Sequence, residues 1–151
     1  MLAEVVLGKN GAVGMDQYLF NYASSINKEI SGVERVEEQG IVMKRIPLDA
    51  QIKSLKDISR NPKAFRRNIK KMNDLYQKGD LHNLHRKAKR SLGKMRKPLL
   101  WDRNRIMSDR ITDLITETSA FIAIGAGHLG GGKGVIRLLK QKGFQLSRVK
   151  D

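Results

Sequence analysis

Ser119-Ala-Phe-Ile-Ala-Ile-Gly125 runs directly into Ala126-Gly-His128-Leu-Gly-Gly-Gly-Lys-Gly134, an apolar run followed by a glycine-rich loop. The run shows no alternation, which predicts a strand covered on both faces in the middle of a sheet. The loop leads into Val135, Ile136, Leu138 and Leu139, spaced for a short helix, and Gly143 stands at the C′ position that closes it. Phe144-Gln-Leu-Ser-Arg-Val149 alternates and reads as a last strand nearer an edge. This strand–loop–helix–strand unit of about 119–149 predicts an α/β fold, helix-rich, with a small and partly parallel sheet. Ligands of such sheets gather where strand ends turn into helices, and His128 lies at such an end. The glycines, Gly125 and Gly127 among them, allow the backbone to turn tightly and approach a ligand closely. A neutral imidazole suits a divalent metal such as zinc, manganese or cobalt, and can otherwise act as acid or base. The plainer reading of His128 is a loop histidine bonded to backbone.

Working outward, the rest is helical. Met15, Tyr18, Leu19, Tyr22, Ala23 and Ile26 share one helical face. Lys28–Glu34 has the apolar spacing of a short strand, and 35–46 returns to helix with Val36, Ile41 and Val42 as its apolar points. Pro47 breaks that helix; Leu48, Ile52 and Leu55 begin another amphipathic face. Asn61-Pro62 is an N-cap followed by an N1 proline, and Phe65, Ile69, Met72 and Tyr76 mark the buried stripe of the helix that follows. Gly79 ends it and Asp80 caps the next, which carries Leu81, Leu84 and Ala88. A helix from about Trp101 lines up Met107, Ile111, Leu114, Ile115 and Thr118. The chain thus reads as one region, 1–151, with a helical insert over about 36–98. Three short strands at most do not make a covered sheet with protected edges. The missing strands are expected from an N-terminal half or a second chain.

Composition narrows the function. A chain of 151 residues, 40% hydrophobic and 30% charged, fits one folded domain. No apolar run approaches the roughly 20 residues of a membrane span. Met1-Leu-Ala-Glu-Val-Val-Leu-Gly-Lys9 has no basic stretch ahead of an apolar one, so no address is legible. The absence of cysteine excludes disulfide and thiolate chemistry. The net charge is +15, and residues 60–98 supply most of it, with fourteen Lys or Arg against Asp74 and Asp80. Such a block attracts phosphates, an anionic surface or an acidic partner, although a solvated helical face has the same composition. Phe65 and Tyr76 are too few to form a base-stacking platform, which argues against specific nucleic-acid binding.

Two other motifs compete with His128. Gly127-x-x-x-x-Gly132-Lys133 has most of the P-loop spacing, but Gly134 stands where a Ser or Thr must hold Mg²⁺. A weaker version, an anion near Lys133, survives that mismatch. His82 and His85 could share one helical face, but Arg86, Lys87, Lys89 and Arg90 around them would repel a cation, so they read as surface residues.

Five separated segments together resemble the TraB/GumN family, which is related to the metal-dependent Tiki proteases. They are Gly14-Met-Asp16, Gly32-Val-Glu34 with Glu38-Gln39, Tyr76-Gln-Lys-Gly79-Asp80, Arg103-Asn104, and Gly125-Ala-Gly-His128 with Gly134 beyond it. The resemblance implies the C-terminal half of a larger α/β fold, in which two Gly-x-x-His motifs and acidic residues build a divalent-metal hydrolytic site. On that likeness His128 and Glu34 would be metal ligands and would take part in catalysis together with Arg103. Gly125, Gly127 and Asn104 would hold the site, a peptide would be the substrate, and a bacterial envelope would suit the full-length parent. Without the resemblance, Glu34 reads as a charge at a helix N-terminus and Arg103 as a partner of Asp102 or Asp109. The chain departs from the pattern in two ways: the first Gly-x-x-His is absent, and Arg35 replaces the Thr that follows the acidic residue. One histidine with one carboxylate falls short of the roughly three protein ligands usual for catalytic zinc.

Overall fold

The computed structural model describes residues 13–149, so the opening Met1–Lys9 lies outside the described part. Seven α-helices carry that part: α1 (Met15–Ser25), α2 (Val36–Lys44), α3 (Leu48–Arg60), α4 (Pro62–Gln77), α5 (Leu81–Leu92), α6 (Asp102–Glu117) and α7 (Val135–Gln141). A 3₁₀ turn (Gly93–Met95) and a π-turn (Lys97–Trp101) lead from α5 into α6, and another 3₁₀ turn (Ala126–His128) precedes α7.

The helix boundaries follow local chemistry. Asn61 Oδ1 accepts from Ala64 N–H at 3.0 Å, with Pro62 at the first helical position of α4. Asp80 Oδ1 accepts from Asn83 N–H at 3.0 Å and starts α5. Gly143, at φ +94°, takes the left-handed turn that ends α7.

No strand occurs among the described residues, which corrects the expected α/β fold with its small, partly parallel sheet. All three expected strands, at 28–34, 119–125 and 144–149, are irregular. A strand exists only with a neighbour that shares its hydrogen bonds. Residues 119–124 make no backbone–backbone bond to other described residues. Nor is this run covered on both faces. Ile122 and Ile124 pack against the core, while Phe121 is 83% exposed.

That core lies between α6 and α7. Met107 and Ile111 meet Val135 and Leu139, with Val33, Ile115, Ile122, Ile124 and Phe144 around them. Leu84 of α5 and Leu100 of the π-turn are also buried. By contrast, no residue of α1, α2, α3 or α4 is fully buried. The expected buried stripe of α4 is only half-covered at Phe65, Ile69 and Met72, and Tyr76 is exposed. Among the described residues no helix is long and apolar enough to cross a membrane.

Candidate functional site

Gly125 ends the extended run and the chain tightens into a 3₁₀ turn, where His128 N–H donates to Gly125 O at 2.9 Å. The turn leaves ordinary room around two of its glycines. A Cβ on Gly125 would lie 3.6 Å from His128 Cδ2, and one on Gly127 would lie 3.7 Å from the Ala88 Cβ. The sterically demanding positions come later. Gly131, at φ +84°, faces the His85 ring, and Gly134 sits against the Leu129 and Gly130 carbonyls. A side chain at either would collide.

The turn sets His128 against Asn104, which is fully buried on the first turns of α6. Asn104 Nδ2 donates to Lys133 O at 2.7 Å, so the amide is held with Oδ1 toward the imidazole. Oδ1 lies 2.6 Å from His128 Nδ1. Since Oδ1 can only accept, the satisfied arrangement places the proton on Nδ1 and leaves the Nε2 lone pair free. Burial lowers the His128 pKa below its ordinary value of 6.5; the Arg103 charge lowers it further, against a smaller opposing pull from Glu34. The ring is therefore neutral at neutral pH.

Arg103, beside Asn104 on α6, reaches across to Glu34. Nε donates to Oε1 at 2.7 Å and Nη2 to Oε2 at 2.6 Å, a two-pronged ion pair. Arg103 is held above its ordinary pKa by this bond to Glu34, against partial burial. Two turns farther along α6, Arg110 grips Glu38 in the same way, at 2.7 Å to each oxygen, and also donates to Val33 O at 3.2 Å. Asp102 and Asp109, the other candidate partners of Arg103, pair instead with Lys97 and Lys142. The structure thus brings Glu34, Arg103, Asn104 and His128 together, with Gly125 and Gly127 in the turn beneath the imidazole. Glu34 ends an irregular segment, not a strand.

As a metal site this donor set is incomplete. His128 offers one oriented nitrogen, whereas both Glu34 oxygens are occupied by Arg103. Among the described residues no group of three His, Cys, Asp or Glu side chains could hold an ion. The residues fit one prepared ligand of a divalent metal, not a full coordination sphere.

His85 corrects the expectation of a surface histidine. It is 9% exposed, its ring packs under Gly131, and its Nδ1 lies 3.3 Å from Gly127 O. Its position was legible: Leu81, His85, Ala88 and Leu92 fall on one face of α5, the face that turns inward. His82 is exposed as expected. Lys133, the P-loop candidate, holds its ammonium 4.2 Å from the centre of the Trp101 ring.

Comparisons with known proteins find relatives that match along nearly the whole chain. The chain is 25% identical over 178 residues to Metalloprotease TIKI1 of Danio rerio, an alignment covering 98% of the chain and 36% of that protein. It is 26% identical over 180 residues to the Metalloprotease TIKI homolog of Nematostella vectensis, covering 99% and 38%. With Metalloprotease TIKI1 of Xenopus tropicalis it shares 27% over 176 residues, covering 96% and 35%. The chain therefore spans little more than a third of the length of these relatives. No solved structure matches it significantly. A sequence model of the TraB/PrgY/gumN family matches residues 1–148, and the chain belongs to that family.

Proposed function

We propose that this chain contributes the imidazole-bearing part of a divalent-metal hydrolase site that acts on peptide bonds. The observation that carries the proposal is the Asn104–His128 bond, which holds the proton on Nδ1 and presents a neutral Nε2. A ligating histidine needs this kind of second partner, because a freely rotating ring must be ordered before it can coordinate. Manganese, cobalt or zinc would each suit such a nitrogen. A divalent ion held there supplies Lewis acidity that activates water for hydrolysis.

Arg103 and Glu34 take supporting parts. Burial first, and the Arg103 charge second, keep His128 unprotonated and so available. Glu34, with both oxygens engaged, aims that guanidinium; it would serve as a second ligand or a proton acceptor only with one oxygen freed from Arg103. The remaining ligands come from a further part of the protein or from a second chain. Peptide as substrate rests on the relatives being metalloproteases.

The test is NMR of the imidazoles in the full chain carrying His82→Ala, which removes the exposed histidine. Adding Mn²⁺ or Co²⁺ should broaden the His128 ring signals before those of His85. Asn104→Leu should weaken the effect about tenfold through loss of the held tautomer. Unperturbed His128 signals at saturating metal would refute its role as a ligand.

A further inference from the structure

We infer that α3 and the α4–α5 hairpin together form a docking surface for an anionic lipid bilayer. The inference does not depend on the metal-site reading, because it uses other residues.

Charge is the first observation. Of the fourteen Lys and Arg between residues 60 and 98, only Lys97 takes part in an ion pair among the described residues. Arg66, Arg67, Lys70 and Lys71 on α4 and Lys89 and Arg90 on α5 are all exposed. The two helices lie side by side, tied by Lys87 Nζ donating to Asn68 Oδ1 at 3.2 Å, so their cations act as one field. The acidic groups opposing them on these helices and at the cap are Asp74 and Asp80, and Asp80 is occupied in capping α5.

The second observation is an apolar stripe with nothing to bury against. Within α3 only Ile58 is partly covered. Leu48, Ile52 and Leu55, at i, i+4 and i+7, are 70%, 42% and 60% exposed. On a helix of 3.6 residues per turn, Lys53, Lys56 and Arg60 run along one flank of that stripe, with Asp49 and Asp57 among them. Asn61 alone separates α3 from the basic α4.

Together these features select the partner. A nucleic acid would use the cations but needs aromatic platforms, and residues 60–98 have only Phe65 and Tyr76. An acidic protein would satisfy the charge and leave the α3 stripe in water. An anionic bilayer takes both: the stripe enters the acyl boundary while Lys and Arg remain at the headgroups. Their long stems can lie along the apolar surface as they do so.

The test is co-sedimentation of the full chain with two kinds of vesicle, phosphatidylcholine alone and equal parts phosphatidylcholine and phosphatidylglycerol. Binding is expected to the mixed vesicles only, and raising the salt should weaken it steeply. Reversing Arg66, Arg67, Lys70 and Lys71 to Glu should reduce partitioning by about tenfold or more. The exposed triple variant Leu48→Ser, Ile52→Ser, Leu55→Ser should lower it by about tenfold with the far-UV circular dichroism preserved. Equal binding to both vesicles, or none to either, would overturn the proposal. So would a triple variant that binds the mixed vesicles like the wild type, particularly if soluble polyglutamate competes equally with both; an acidic protein would then be the partner.

Discussion

At the scale of single residues, the consequential contact is the one between Asn104 and His128. Asn104 is fully buried and makes two hydrogen bonds, one to a carbonyl and one to the imidazole. Replacing it with Leu leaves both partners unsatisfied and should cost about 3 kcal/mol, measurable by urea denaturation. The titration of His128 is a sharper probe. Its folded pKa lies below 6.5, so the unfolded chain binds a proton that the folded chain refuses. Stability on this account is full above the unfolded value and declines as pH falls from 6.5 toward the folded pKa. Arg103→Met removes a cation near the ring and frees the Glu34 charge, so the His128 pKa should rise in an NMR titration. A pKa unchanged by Arg103→Met would leave burial as the sole cause. The sequence exposed His128 through its place in a glycine-rich loop, and Arg103-Asn104 through family likeness. Nothing in the sequence revealed that Asn104 would hold the ring or that Arg103 would occupy Glu34, because both contacts join residues far apart in the chain.

At the scale of elements, signals within a few residues of each other were dependable, and those requiring a distant partner were not. Asn61, Pro62, Asp80 and Gly143 mark helix ends because a cap or a left-handed turn is settled by its own neighbours. The apolar run before Gly125 has strand composition, yet extended backbone becomes a strand only beside another one, which no single segment can disclose. The N-cap of α2 offers a direct test of local chemistry. Arg35 N–H donates to Glu38 Oε2 at 2.8 Å, half of a capping box whose other half needs a short hydroxyl. Arg35→Thr supplies it and should stabilise the chain by about 1 kcal/mol in thermal denaturation. In the loop, Gly131→Ala combines an unfavourable φ of +84° with collision against His85. We expect a loss of about 2 kcal/mol, falling to about 1 kcal/mol in a His85→Ala background, where the collision is relieved and the backbone cost remains.

Across the whole molecule, the uneven distribution of buried residues decides how the parts hold together. The α6–α7 core is apolar, whereas α2 buries no residue of its own and is joined to α6 through Arg110. Glu38 is held at about 2, below its ordinary 4.5, chiefly by its bond to Arg110 and secondarily by the Arg35 N–H. A carboxyl with a depressed folded pKa contributes stability that is complete above its unfolded value and lost as pH falls through the folded one. Between about pH 4.5 and 2, therefore, the unfolded or detached Glu38 binds a proton that the attached one does not. The pair is solvent-accessible, so screening by salt should reduce the effect. Acid should release α2 from α6 while the apolar core persists. Hydrogen exchange should then accelerate over Val36–Lys44 before Met107 and Ile111, and Arg110→Met should show the same fast exchange already at neutral pH. Simultaneous loss of protection in α2 and α6 would mean that the ion pair adds nothing separable from the core. With no buried residue of its own, α2 depends on that ion pair to α6 where α7 depends on apolar packing.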